Sequence, residues 1–300
     1  MIRQYLLLIR LPNAFTAPSN ILTGYFAVVL PSHTNISNLS ILMLSSALLY
    51  ISGIVFNDYF DIEIDRKERP LRPLVTGIIT SKKAFTIALA AMVAANILVF
   101  TVDVISLIVA IILSATIIGY DYRLKQTMAG PITMGSARFL NIFLGASPAF
   151  GGLFFSHDIF LVLRLILVSM LMLLYVLSIS ILSRREISIT THSRRIIAGP
   201  FIIIFAIISI IVITLFFGFF QIDLVPNLVL FSVIAIITFK RTVFGDYSSK
   251  GIQKAITILV LSIIVLDSIF VSGTANIFYG STTLLLIIPS VTLARKLYVT

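Results

Sequence analysis

The sequence predicts an all-α fold: a polytopic membrane bundle of nine to ten transmembrane helices, ten preferred, around a central cavity. The first observation is composition. Of 300 residues, 59% are hydrophobic and 11% charged, with a mean hydropathy of +1.10. Soluble domains carry roughly 45–50% apolar and about 25% charged residues, so a water-facing surface cannot be assembled from this chain, and composition excludes a disordered one too. The second observation is ten apolar runs, each close to the ~20 residues that span a bilayer as helix. The third is that basic residues recur in every second loop.

The segment 1–12 reads as interfacial, with Arg3 and Arg10 near lipid phosphates, because Arg10-Leu11-Pro12 interrupts its short apolar run. The spans follow at roughly 14–31, 40–60, 84–100, 104–120, 134–155, 160–182, 196–218, 224–240, 252–271 and 276–294. Turn residues punctuate them, among them Pro31, Pro70, Pro73, Gly130-Pro131, Gly199-Pro200, Gly245 and Gly273. No solenoid repeat or low-complexity stretch interrupts residues 1–300, which read as one domain.

Charge then sets orientation. Of 22 Lys and Arg residues, 20 fall on the side of the bundle that holds both ends of the chain, with Arg138 and Arg164 inside spans. The positive-inside rule puts that side, with both termini, in the cytoplasm. An even span count is needed for this alternation, hence the preference for ten. The net charge of +10 is thus accounted for by topology and requires no nucleic acid. The absence of cysteine excludes disulfides, thiolate metal sites and cysteine nucleophiles.

Acids are the informative minority. There are 12, and five of them (Asp58, Asp61, Glu63, Asp65 and Glu68) lie within eleven residues at the basic-side end of the second span. Asn57, Asp61 and Asp65 follow an i, i+4, i+8 spacing, which on one continuous helix aligns three oxygen-bearing side chains on one face. Such an array repels itself unless a cation lies against it. Hard oxygen ligands favour Mg²⁺, completed by water and substrate phosphate. The three histidines, His33, His157 and His192, are scattered, which argues against zinc. The plainer alternative is a solvated helix end paired with Arg66, Lys67 and Arg69. Against it, the array starts at Asn57, inside the apolar run, where polar groups usually face a cavity. Downstream, Glu68-Arg69-Pro70-Leu71-Arg72-Pro73 ends the helix in a turn that keeps Arg69 and Arg72 near the carboxylates. Guanidinium forks suit phosphate oxygens, so the combination points to a diphosphate at the membrane surface.

Asn57-x3-Asp61-x3-Asp65 followed by Arg-Pro-x-Arg-Pro-Leu-x-x-Gly resembles the first signature of the UbiA-type intramembrane prenyltransferases. Leu11-Pro12-Asn13, Ala17-Pro18-Ser19-Asn20 and Gly24 resemble the family's first helix, and Tyr120 to Lys125 with Gly130-Pro131 resembles its loop after the fourth. The segments Gly130–Asn141, Leu182–Glu186 and Tyr279–Leu297 look most like the EboC-like branch. The resemblance implies a cavity open to the cytoplasmic leaflet and Mg²⁺-assisted transfer of a polyprenyl group from its diphosphate to an aromatic or other lipophilic acceptor. It implies that Asn57, Asp61 and Asp65, with Asp58 assisting, hold Mg²⁺. It implies diphosphate contacts from Arg72 and Lys125; Tyr59 and Tyr120 lie near the proposed site, with Tyr120 a candidate for the cavity. Arg138 and Asn141, three apart, are expected to share a face, lining the cavity or bonding a neighbouring helix.

One departure stands out. The family's second aspartate-rich motif, after the sixth helix, here reads Leu182-Ser183-Arg184-Arg185-Glu186-Ile187-Ser188. Glu186 is its remnant, and Arg184 and Arg185 replace acids. Three readings follow: Glu186 as the sole ligand there, Arg184 and Arg185 as diphosphate clamps, or loss of transfer in favour of metabolite or lipid transport or export. Asp267, in the middle of the ninth span, is expected either to serve a polar acceptor or proton movement, or to bond a neighbouring helix.

Overall fold

A computed structural model describes residues 2–152, 158–187, 194–245 and 248–298, and every regular element among them is helical. The helices are α1 (Ile2–Leu8), α2 (Leu11–Ala14), α3 (Thr16–Val28), α4 (Ile36–Phe60), α5 (Ile62–Glu68), α6 (Ser81–Phe100), α7 (Val104–Tyr122) and α8 (Gly130–Ala146). They continue with α9 (Ile159–Ile187), α10 (Arg194–Phe216), α11 (Val225–Phe239), α12 (Ser249–Leu261), α13 (Ile263–Thr274), α14 (Ile277–Leu284) and α15 (Ile287–Tyr298). Among the described residues, eight stretches are long and apolar enough to cross a membrane. The apolar runs 14–31 and 134–155 are helical but shorter: α3 has 13 residues and α8 has 17. The last two runs are each divided, near Ser262 and near Leu285, into α12–α13 and α14–α15.

The helices start where side chains satisfy their orphan amides. Asn35 Oδ1 accepts from the Asn38 amide before α4, and Asp103 Oδ1 accepts from the Ser106 amide at 2.7 Å before α7. The Asp103 carboxylate also complements the positive end of the helix dipole. Pro131 in the first turn of α8 costs no hydrogen bond, because amides there lack intrahelical partners.

Packing places α4 against α6, α8 between α3 and α9, and α13 beside α3 and α14. The α3–α8 crossing is close. A Cβ on Gly24 would collide with the Ile142 carbonyl, and one on Gly145 with the Ile21 carbonyl. Two glycines thus let the two backbones touch reciprocally, as small residues do where helices meet in lipid.

Two sequence expectations are corrected here. The helix carrying Asn57, Asp61 and Asp65 is not continuous: α4 ends at Phe60 and Asp61 caps it with φ −92° and ψ 5°. The four-residue hydrogen-bond register nevertheless survives the break, running Asp61 N to Asn57 O, Asp65 N to Asp61 O and Arg69 N to Asp65 O at 2.8–3.0 Å. The second correction concerns the N-terminal segment. Leu8 is fully buried against the bundle. Arg10 turns inward to Asp58, not outward to lipid. Its backbone lies in the left-handed region, φ 43°, the one such non-glycine residue among those described. That conformation costs on the order of 1 kcal/mol or more, and it breaks α1 from α2.

Candidate active site

A cavity of about 1080 Å³ opens among α3, α4, α5, α7, α8, α9 and α12. Its lining includes Asn57, Asp58, Asp61, Asp65, Arg69 and Arg72, and, from other helices and the loop after α7, Tyr120, Lys125, Arg138, Asn141 and Arg184. The long-range elements therefore bring the array of α4 and α5 together with Tyr120, Lys125, Arg138, Asn141 and Arg184.

The acids at the break between α4 and α5 are each matched to a cation. Arg72 Nη1 donates to Asp58 Oδ1 at 2.8 Å and to Asp65. Arg10 Nη2 donates to the same Asp58 oxygen at 2.7 Å. Lys125 Nζ pairs with Asp61 Oδ1 at 2.7 Å and reaches Asn57 Oδ1 at 3.4 Å. The turn at Pro70 and Pro73 explains Arg72: it stops α5 at Glu68 and folds the chain back beneath the carboxylates. Burial dominates the local electrostatics. It pushes the Asp65 carboxyl above its ordinary range, with Arg72 opposing and Asp58 and Asp61 adding to the rise. It also lowers Arg72, with Arg10 adding to the drop and Asp58 and Asp65 opposing it.

The other candidates divide. Arg69 lines the cavity exposed and makes no ion pair with a described residue. Arg184 donates from Nη2 to the carbonyls of Lys125 and Thr127 at 2.9 and 2.7 Å, so it clamps the loop that presents Lys125. Arg138 and Asn141 line the cavity and also bond neighbouring helices. Arg138 binds the Thr16 carbonyl and Asn20 Oδ1 at 2.9 Å and lies 5.4 Å over the Tyr50 ring. Asn141 accepts from Ser46 and donates to the Ala17 carbonyl. Tyr120 lines the cavity, as does Tyr50; Tyr59 instead packs among Phe60 and Phe85 and is not part of the lining. The Glu186 and Arg185 side chains, like His157 and His192, lie outside the described residues. Asp267 is fully buried and is not part of the lining: Ser19, Asn20 and Thr23 of α3 donate to its carboxyl oxygens at 2.5–3.0 Å.

Sequence reasoning missed three lining residues with chemistry: Arg10, Tyr50 and Asp121. Asp121 carried a signal, a lone acid at the basic-side end of an apolar span, but only the fold shows that it faces α4.

The residue pattern and geometry can be set beside known proteins. One family profile is matched over residues 18–255, most of the chain. The chain belongs to the UbiA prenyltransferase family. It is accordingly an integral, multi-pass membrane protein. Among its relatives is the digeranylgeranylglyceryl phosphate synthase of Saccharolobus solfataricus, 28% identical over 167 residues, 55% of this chain and 56% of that protein. The enzyme of the same name from Metallosphaera sedula is 30% identical over 142 residues, 47% of this chain and 50% of that protein. The chain thus aligns with about half the length of these curated relatives. The UbiA homolog from Aeropyrum pernix K1 shares the fold with a TM-score of 0.68 at 12% identity, over 85% of this chain and 94% of that one. A UbiA homolog from Archaeoglobus fulgidus, solved with GPP and Mg²⁺, gives a TM-score of 0.56 at 14% identity over 94% and 99% of the two chains. Within this UbiA fold, the cavity lining combines the cation-matched carboxylates with Tyr50, Leu49 and Leu113.

Proposed function

We propose that the chain is a Mg²⁺-dependent prenyltransferase that moves a polyprenyl group from its diphosphate to an aromatic or other lipophilic acceptor. The observation carrying this reading is the Asn57, Asp61, Asp65 array facing a large cavity with Arg72 and Lys125 within bonding distance of the acids. The relatives named as digeranylgeranylglyceryl phosphate synthases and the GPP- and Mg²⁺-bound homolog support it.

The donor set fits Mg²⁺. Among the described residues no three carboxylate or imidazole groups converge on one point, but Mg²⁺ typically uses one or two carboxylates and takes its remaining ligands from water and substrate phosphate. Asn57, Asp61 and Asp65 would hold it, and when bound it neutralises the leaving diphosphate. This chain's residues do the rest. Lys125 and Arg72 exchange their carboxylate partners for phosphate oxygens, which releases Asp61 and Asp65 for the metal. Arg69 at the exposed rim adds a further phosphate contact. Arg184 keeps the Lys125 loop in place. The apolar side chains of the lining exclude water from the allylic carbon after C–O cleavage, and the Tyr120 face stabilises positive charge there. The acceptor attacks that carbon and loses a proton, leaving a prenylated product and free diphosphate.

In this reading both termini and the acidic end of the cavity face the cytoplasm, supported by 20 of 22 basic residues on that side. Residues 1–300 form one catalytic domain, and the motifs at 130–141 and 182–186 favour the EboC-like branch. The test is purified protein in liposomes with geranylgeranyl diphosphate, Mg²⁺ and a panel of lipophilic acceptors. Diphosphate release with a prenylated product is expected. A protein that binds no donor, or that moves a lipid across the vesicle without covalent change, overturns the reading.

A further inference from the structure

Arg138 gives the cavity a second polar feature, apart from the ionic set. It lies on α8 eight residues beyond Gly130, which is ~12 Å of helix. Gly130 is the end of α8 that packs on Arg184 and the Lys125 carbonyl, so Arg138 stands well inside from the diphosphate end. Its hydrogen bonds leave one side of the guanidinium open. Nη1 uses both N–H groups, on the Thr16 carbonyl and on Asn20 Oδ1, each at 2.9 Å. Nη2 uses one, on Thr16 Oγ1 at 2.8 Å. Thr16 thus fills the end-on fork. The remaining N–H groups, on Nε and Nη2, are parallel and form the side-on fork, which matches two oxygens of a carboxylate or phosphate.

That fork opens into the cavity. Among the described residues, the side-chain polar atoms sealed away without a partner are Thr34 Oγ1, Ser45 Oγ, Asn96 Oδ1 and Ser169 Oγ. Arg138 Nε has no acceptor and is not one of them, so it reaches open space, and the space Arg138 lines is the cavity. No carboxylate among the described residues pairs with Arg138 directly; Asp267 is joined to it through Asn20. The Tyr50 ring, 5.4 Å from the guanidinium carbon, covers one face and leaves the edge free. Asn141, three residues on, accepts from Ser46, gives one amide N–H to the Ala17 carbonyl and keeps the other. A prenyl chain could satisfy none of these donors, whereas an oxyanion satisfies them all. Arg69 and Arg184 also lack a carboxylate partner, but Arg69 is at the exposed rim and Arg184 holds the Lys125 loop, so both belong to the diphosphate end.

We propose that Arg138, with Asn141, anchors the acceptor, and that the acceptor carries a carboxylate or phosphate group that the side-on fork of Arg138 receives. This names the acceptor class and rests on the prenyltransferase reading. Thr16 and Asn20 fix the guanidinium from behind, and Tyr50 fixes its plane. No bond is made or broken at Arg138. It holds one end of the acceptor while the nucleophilic atom at the other end faces the allylic carbon.

The test is equilibrium binding of radiolabelled benzoate, phenyl phosphate and neutral benzamide to full-length protein, with Mg²⁺ and inorganic diphosphate occupying the ionic end. Wild type, Arg138→Gln and Arg164→Gln are compared. Arg164 donates to the Ala27 carbonyl and does not line the cavity, so it controls for loss of one embedded cation. Wild type is expected to prefer at least one of the two anions to benzamide, the tighter one naming the group. Arg138→Gln is expected to weaken that anion by about 10-fold or more, with benzamide and the Arg164 variant within about twofold of wild type. Anions that bind no better than benzamide, or equally well to Arg138→Gln, overturn the proposal. Should Arg138→Gln fail to fold, wild-type crystals with 4-iodobenzoate, located by its anomalous signal, decide: a carboxylate within hydrogen-bond distance of Arg138 upholds the proposal, and one bound elsewhere overturns it. Transfer is then assayed with geranylgeranyl diphosphate and with phenols that carry or lack an acidic group. Product from the uncharged phenols alone overturns the proposal and leaves the prenyltransferase reading standing. Wild type that neither binds nor consumes the donor defeats that reading, and the acceptor assignment with it.

Discussion

Two carboxylate sites in this bundle are built on opposite principles. At the α4–α5 break, Asp58, Asp61 and Asp65 face a cavity and are held by Arg10, Arg72 and Lys125. In α13, Asp267 is fully buried and is held by the neutral donors Ser19, Asn20 and Thr23. The first set can trade partners, because a phosphate entering the cavity competes for the same cations and a metal for the same acids. The second is held in a closed contact by hydroxyl and amide donors on one face of α3, with Arg138 joined to it through Asn20. Exchangeable ionic partners beside an open volume mark chemistry, and neutral partners in a closed contact mark assembly.

The comparison is most sharply tested at Asp65 and Asp61. Asp65→Asn or Asp61→Asn is expected to reduce diphosphate release from a polyprenyl diphosphate by roughly 100-fold or more, with the melting temperature near that of wild type. Next comes Asp267→Ala, which strands three buried donors. Its expected cost is about 3–5 kcal/mol, read as a lowered melting temperature in detergent, with turnover per folded molecule retained. The reverse pattern, a stable Asp267 variant that is inactive, would break the distinction between the two sites. Arg10→Ala bridges them, because Arg10 is part of the ionic set yet sits in a strained backbone. It is expected to raise the KM for the prenyl diphosphate about 10-fold while changing stability by about 1 kcal/mol or less, because relief of the side-chain pair with Asp58 leaves Arg72 in place. The smallest perturbation is single cysteines at Ser37 and Ser81 in this cysteine-free chain. Ser37→Cys should label from outside the cell and Ser81→Cys should not; the opposite result inverts the orientation and moves the ionic site to the outer face.

The ionic site was largely legible because its core is local. Asn57, Asp61 and Asp65 share one hydrogen-bonded register, and Arg72 follows within the same turn, so spacing alone brought them together. The break at Asp61 was not legible, since i, i+4 spacing reads the same through a kink that preserves the register. Arg10 was misread because a basic residue beside Pro12 looks interfacial when its partner is 48 residues away. Which way the Tyr59 ring packs was not legible either, because adjacency to Asp58 says nothing about it. Asp267 stood out in the sequence as an acid in an apolar span, but its choice between binding a substrate and bonding a helix was open. The answer lay in Ser19 and Asn20, nearly the whole chain away.

The sequence by itself determined that this chain is an all-helical membrane protein, and which short segment holds hard oxygen ligands beside arginines. Those properties follow from local hydropathy and from four-residue spacing, which need no partner to be read. The tertiary structure alone decided which cation meets which acid, that Asp267 belongs to assembly, and that Asp121 lies beside Gly53 in the cavity wall. In a bilayer almost every helix face is apolar, so periodicity does not reveal which side turns inward. Close contacts such as the Gly24–Ile142 and Gly145–Ile21 crossing fix that rotation, and with it the identity of every residue that reaches the cavity.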